Sequence, residues 1–168
     1  MTSEQYQKIS EPFRQNPGLL NALKICNRFC TGVGFVTYPV LIGYLLLQRD
    51  LHVILYILIP GISFVLLSWF RRQFNAKRPY EQLDIVPLIP KQKKGRSFPS
   101  RHVFSIFVIA GCWYGICYPI GIIVSICGVF LALVRVIGGI HFPKDVIWGA
   151  ILGIIFGLLS TIIASVCI

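Results

Sequence analysis

Residues 51–70 read LHVILYILIPGISFVLLSWF, and residues 71–79 continue as RRQFNAKRP. The first stretch holds no Asp, Glu, Lys or Arg over a length that lets a helix cross a bilayer, about 20 residues. The second opens on Arg71-Arg72 and closes on Arg78-Pro79. So abrupt a change from apolar to basic marks a helix that leaves the hydrocarbon near Phe70 and meets anionic headgroups at Arg71.

The same contrast repeats in both directions. Upstream, an apolar block over about Thr31–Leu47 is separated from Leu51 by little more than Arg49-Asp50, which predicts a tight helical hairpin. Downstream, residues 71–101 form a polar loop with nine Lys and Arg and with Pro79, Pro87, Pro90 and Pro99. A third span is expected over about His102–Tyr118. Pro119-Ile120-Gly121 reads as a turn into a fourth span, about Ile122–Ile137, and residues 138–144 lead to a fifth, about Asp145–Cys167. The expected fold is therefore all-α: one polytopic membrane bundle of about five transmembrane helices, residues 1–168 forming a single domain.

Composition supports this. The chain has 168 residues, 55% of them hydrophobic, and a mean hydropathy of +0.73. Only 13% are charged, where a soluble domain carries about 25%. The formal charge is +10. In a soluble protein that balance points to nucleic acid, but no basic soluble domain is present, so the expected partners are membrane lipids and a phosphorylated lipid substrate. The six cysteines (Cys26, Cys30, Cys112, Cys117, Cys127, Cys167) form no CxxC pair, and they read as small apolar side chains packed between helices.

The N-terminal segment is too polar for a cleaved signal peptide. Residues 1–18 end in the turn signal Asn16-Pro17-Gly18. Leu19, Leu23, Cys26 and Cys30 then recur at helical spacing, with Asn21, Lys24 and Arg28 between them. This fits an amphipathic helix in the interface over residues 1–30, or simply the first turns of the first span.

Five spans place the N-terminus, the 71–101 loop and the 138–144 loop on one face. That face carries fifteen of the sixteen Lys and Arg, Arg135 included, and the other carries Arg49 alone. The positive-inside rule assigns the rich face to the cytoplasm.

Three segments that carry chemistry collect there. Arg71 and Arg78 leave span two, Ser100-Arg101-His102 enter span three, and Arg135 to Asp145 join spans four and five. Phosphoryl transfer asks mainly for positioning and for cations around the equatorial oxygens. Arginine meets that need with a planar fork that stays protonated. Arg71, Arg78, Arg101 and Arg135 can converge from different helices, and Ser100 beside Pro99 can present a hydroxyl and a helix N-terminus to the same anion. His141 and Asp145 are four residues apart, so the carboxylate can accept the Nδ1 proton and leave Nε2 free to attack phosphorus. His102 can protonate the leaving oxygen. His52, alone in its surroundings, reads as an interfacial residue.

Those segments resemble the type 2 phosphatidic acid phosphatase superfamily, membrane relatives of bacterial acid phosphatases and vanadium haloperoxidases. The family pattern is K-x6-RP, then PSGH, then SR-x5-H-x3-D. This sequence has Arg71-x6-Arg78-Pro79, then Pro99-Ser100-Arg101-His102, then Arg135-x5-His141-x3-Asp145. The resemblance implies a nucleophile at His141 oriented by Asp145, a general acid at His102, and phosphate binding by Arg71, Arg78, Ser100 and Arg135, with no metal and no cofactor. Three positions depart from the pattern: Arg71 stands for the Lys, Val134 for the Ser, and Arg101 for the Gly, where an extra cation can alter headgroup selection.

The implied activity is removal of phosphate from a lipid phosphate or diphosphate through a phosphohistidine. The candidates are a polyprenyl diphosphate, phosphatidylglycerol phosphate, phosphatidic acid and a lipid A-type phosphate. Family members that recycle polyprenyl carriers usually face outward, against the charge count. The competing expectation is a non-catalytic binder or transporter of anionic lipids that uses the same arginines and does not need the histidines.

Overall fold

Asn16 divides the N-terminal segment in two. It ends helix α1, Ser3–Gln15, and caps helix α2, Pro17–Leu47, by accepting from the N–H groups of Gly18 and Leu19 at 2.9 and 3.2 Å. Both helices, and the rest of the fold, come from a computed structural model that describes residues 1–166. After α2 the chain forms α3, Val53–Phe74, and the single turn α4, Pro79–Gln82. Then follow α5, Arg101–Ile116, α6, Tyr118–Ile137, and α7, Pro143–Val166.

Four helices are long and apolar enough to cross a membrane, namely α2, α3 with its extension, α6 and α7. Large apolar side chains such as Phe35, Leu47, Ile54 and Val65 stand exposed on their outer faces, as lipid contact requires. The chain is a multi-pass membrane protein. The third expected span, α5, has 16 residues and so rises only about 24 Å, short of the hydrocarbon thickness of about 30 Å. It need not meet lipid. Val103, Phe104 and the run from Ile106 to Trp113 are all buried, and α2, α3, α6 and α7 pack around it.

The seam between α5 and α7 is the tightest in the bundle. Gly149, Gly153 and Gly157 fall four residues apart on one face of α7. A Cβ at Gly153 would lie 2.5 Å from the Phe104 carbonyl oxygen, and one at Gly157 2.7 Å from that of Val108. Backbone therefore meets backbone, which holds the start of α5 against the start of α7.

The structure decides one open alternative and changes one detail of the expected layout. Residues 19–30 are the first turns of α2, the second of the two expectations, and a separate N-terminal helix, α1, lies earlier and buries Tyr6 and Ser10. Pro119 is not a turn: only Cys117 joins α5 to α6, and the proline occupies the first turn of α6, where its missing N–H costs nothing. Pro99 precedes Ser100, the N-cap of α5. Cys167, the expected end of the last span, lies outside the described residues.

Candidate active site

Gly138 ends α6 and Gly139 follows at φ +73°, a left-handed conformation that glycine adopts without strain. The chain thereby doubles back, and the N–H groups of Ile140 and His141 both reach the Arg135 carbonyl, at 3.1 and 3.2 Å. His141 is carried inward and is almost completely buried. Its Nδ1 lies 3.3 Å from Ser97 Oγ and 3.5 Å from Asp145 Oδ2. Ser97 Oγ in turn donates to Asp145 Oδ2 at 2.5 Å, and the Phe142 N–H donates to the same oxygen at 3.0 Å. The direct His141–Asp145 approach is too long for a strong hydrogen bond. Ser97 fills the gap. With its proton on Nδ1, His141 donates to Ser97 and its Nε2 is left free.

Burial pushes the His141 imidazole down to about 4, against the upward pull of Asp145 and with help from the charge of Arg78. The ring is thus neutral at neutral pH, the state in which a nitrogen lone pair is available for attack.

Cations surround this ring. Arg71, at the end of α3, donates Nη1–H to the Ser97 carbonyl at 3.1 Å and Nη2–H to the Arg96 carbonyl. Arg78 donates Nε–H to the Gly95 carbonyl at 3.1 Å and Nη1–H to that of Ile140 at 3.3 Å. Arg135 donates to Thr31 Oγ1 at 3.3 Å, which ties α6 to α2. All three are buried. Desolvation lowers Arg78, and it takes Lys91 down to about 8 with the help of Arg135 and Arg78. Asp145 is the one buried carboxylate among the described residues, so the pocket carries a large excess of positive charge.

The start of α5 completes the pocket. The Ser100 N–H donates to the Asp145 carbonyl at 2.7 Å, which docks this N-terminus on α7. Ser100 Oγ and Arg135 Nε are buried without a protein hydrogen-bond partner. His102 is half-buried one turn position further on. Arg101 points elsewhere: its guanidinium stacks 5.3 Å above the ring of Phe64 on α3. The structure therefore brings together His141, Asp145, Arg71, Arg78, Arg135 and Ser100, sets His102 at their edge, and turns Arg101 toward the membrane.

Two residues of the site were not anticipated. Ser97 stands in a basic loop where a lone hydroxyl carries no signal. Glu81 accepts from the N–H groups of both Arg78 and Gly95 at 2.8 Å and so pins the loop over the pocket. Its spacing of three from Arg78-Pro79, at the start of a helical turn, is the one hint in the chain.

Residues 49–167, which carry all three arginine and histidine motifs, match the PAP2 superfamily. The chain belongs to that superfamily. Two solved structures share its fold. LpxE from Aquifex aeolicus is 31% identical, with a TM-score of 0.72 over 94% of this chain and 92% of its own. A transmembrane PAP2-type phosphatidylglycerolphosphate phosphatase from Bacillus subtilis is 21% identical, with a TM-score of 0.73 over 96% of this chain and 85% of its own. No curated protein matches the sequence.

In this PAP2 chain a groove lies beside the pocket: Thr31, whose Oγ1 accepts from Arg135, is among the residues that line it. A cavity of about 430 Å³ runs between α2, α3 and α5. Gly34, Phe35 and Tyr38 line one side and Pro60, Gly61 and Phe64 another, while Arg101 and His102 stand at its polar end. Pro39 and Pro60, which line this groove, each remove a helical hydrogen bond from their helix. Small side chains at Gly34 and Gly61 add room.

Proposed function

We propose that the chain is a membrane phosphohydrolase that removes phosphate from a lipid phosphate or diphosphate through a phosphohistidine intermediate. One observation carries the reading. A buried, neutral imidazole with its Nδ1 side occupied lies among three buried arginines, and one of them, Arg135, bonds Thr31 in the lining of an apolar groove. Buried cations in excess call for an anion. A phosphoryl group supplies it, and its oxygens can take the N–H of Arg135 Nε and the hydroxyl of Ser100. The N-terminus of α5 favours the same charge.

The reaction follows from these positions. His141 Nε2 forms a bond to phosphorus as the bond from phosphorus to the lipid-side oxygen breaks. His102, at the groove, donates a proton to that oxygen, and the dianionic phosphate beside it favours the protonated imidazole. Arg71, Arg78 and Arg135 hold the equatorial oxygens in the transition state. Water then attacks the phosphohistidine, gives its proton to His102 and releases inorganic phosphate, leaving His141 neutral. Ser97 and Asp145 keep the imidazole oriented and stabilise the positive charge it acquires. The groove takes the lipid tail, so the substrate need not leave the bilayer. Arg101, at the groove mouth, favours headgroups with a second anionic group.

Substrate candidates are phosphatidylglycerol phosphate, the lipid in the name of the Bacillus protein, together with phosphatidic acid, a lipid A-type phosphate and a polyprenyl diphosphate. The excess of Lys and Arg on the site's face favours a cytoplasmic site, against the outward orientation usual among family members that recycle polyprenyl carriers. Purified protein is offered these lipids in turn and released phosphate is measured. At least one should be hydrolysed, and His141→Ala should reduce that hydrolysis to background. Hydrolysis undiminished in His141→Ala, or no hydrolysis of any of the four, would overturn the reading.

A further inference from the structure

Tyr6 lies far from the motifs in sequence, yet it is fully buried, and no part of the reaction above uses it. Its hydroxyl accepts from the Leu88 N–H at 3.3 Å and donates to the Val86 carbonyl at 3.5 Å. Arg14, two turns along α1, donates to the same carbonyl. The other side of the phenol bears on Gly139: a Cβ there would lie 2.6 Å from Tyr6 Oη and 2.9 Å from its Cζ. Next to it, the Ile89 N–H donates to the Gly138 carbonyl at 3.3 Å.

We propose that Tyr6 is a positioning residue for His141: from α1 it clamps the 138–140 turn against the 86–89 strap and so fixes where the imidazole stands. The turn has two faces. The Arg135 carbonyl holds the N–H groups of Ile140 and His141, and Arg78 holds the Ile140 carbonyl. The opposite face has Tyr6 and Ile89. Gly139 is the hinge between them, because its left-handed backbone lacks a side chain to wedge it in place, and Tyr6 supplies the missing wedge. Release of that wedge lets the turn rock about Gly139, two residues before the nucleophile, and an error of about 1 Å there can cost about 100-fold in rate. Phe13, further along α1, packs with Leu23, Leu88 and Val134, so the helix that carries Tyr6 is itself held down.

This inference rests on the proposed phosphohistidine reaction, and its test separates the two. The full-length protein is purified in detergent as wild type, Tyr6→Phe, Tyr6→Ala and His141→Ala. Each is assayed with the lipid that wild type hydrolyses best. Four quantities are read: kcat, KM, inhibition by inorganic phosphate, and the pH of the acid limb of kcat. Tyr6→Ala should lower kcat about 10-fold or more, with KM and the inhibition constant for phosphate within about threefold, since the arginines stay in place. Its acid limb should move up, toward the ordinary histidine range, as water reaches a looser ring. Around that ring stand Asp145 from α7, Arg78 from the start of α4, Arg71 from α3 and His102 from α5, and none of them is altered.

Tyr6→Phe keeps the ring against Gly139, with Cζ 2.9 Å from the Cβ position, and loses the hydroxyl's contact there and its link to the strap, so it should fall between wild type and Tyr6→Ala. If Tyr6→Ala does not fold, Tyr6→Phe decides alone. A lowered kcat at constant KM supports the clamp, and wild-type kcat overturns it. Wild-type kcat in a folded Tyr6→Ala also overturns it, as does a loss shared equally by kcat and phosphate affinity. Hydrolysis that persists in His141→Ala condemns the reaction instead, whatever Tyr6 does.

Discussion

The α5–α7 seam and the α2–α3 wall are both made from apolar helices rich in glycine, and they do opposite things. In the seam the glycines face backbone: a Cβ at Gly149, Gly153 or Gly157 would strike a carbonyl oxygen of α5 at 2.5–2.7 Å. In the wall, a Cβ at Gly32, Gly43 or Gly61 would meet nothing within 4 Å. The difference is one of what each side must hold. The seam docks Ser100, the N-cap of α5, on Asp145 of α7, and the geometry proposed for the reaction tolerates little slack. The wall faces lipid and a groove, and Pro39 and Pro60 line that groove. Glycine serves contact on one side and room on the other, so the same substitution should have unequal effects.

The largest contrast comes from adding the same side chain to each. Gly153→Leu forces a side chain into the Phe104 carbonyl and the Phe107 Cβ, neither of which can retreat, since both belong to the central helix. The variant should fail to give monodisperse protein in detergent, and its phosphate release should fall to background. Gly43→Leu should purify like wild type and keep its activity within about twofold, as expected of a substitution that meets open space. Size-exclusion profiles and phosphate release check both. Equal damage from the two would abolish the distinction between seam and wall.

The seam side also carries the hydrogen-bonded support of His141, the proposed nucleophile. Ser97→Ala keeps the carbonyl that Arg71 grips and removes only the hydroxyl between His141 and Asp145. The 3.5 Å approach must then close or remain unbridged. Steady-state assays should show kcat lower by about 10- to 100-fold, with KM little changed, as for other groups that orient a catalytic imidazole. An unchanged kcat would mean that Asp145 orients the ring without help.

Burial of His141 has a consequence for stability with a definite sign. Its folded-state value, about 4, lies below the ordinary histidine range, so between about 4 and 6.5 the unfolded chain binds more protons than the folded one. Stability is therefore intact above that window and falls as pH drops through it, by at most about 1.4 kcal/mol per pH unit from this one group. Thermal unfolding of wild type and His141→Gln, measured from pH 7 down to pH 5, should show the steeper decline in wild type. Parallel declines would show that the ring is not held neutral by burial.

Much of this was legible before any coordinates. The apolar blocks give the helices because bilayer hydrocarbon admits few other backbones, and basic residues at span ends give the shared face. That His141, Asp145, Arg71, Arg78 and Arg135 gather in one place was legible because all five stand at span ends on one face. Ser97 and Tyr6 were not. A serine or tyrosine joins a site through contacts between segments distant in sequence, and nothing in its neighbours reports them. Arg101 shows the reverse case: its place in the motif suggested the phosphate pocket, and the ring of Phe64 draws it toward the groove instead. The shortness of α5 was hidden too, because a fully buried helix and a lipid-facing one have similar apolar composition.

The smallest expected effect tests the groove itself. Gly61 lines it, and a Cβ added there meets no atom within 4 Å, so a leucine has room to extend over the groove. Gly61→Leu should therefore leave the seam, the pocket and the fold unaltered and shorten the space for a tail. For a lipid phosphate with long acyl chains, kcat/KM should fall about 10-fold, the size of effect that a filled hydrophobic pocket has on a substrate too large for it. For the same headgroup on short chains it should stay within about twofold, because a short tail does not reach the added side chain. Loss on both substrates alike would place the tail elsewhere, and the looseness of the α2–α3 wall would then have no part in choosing the substrate.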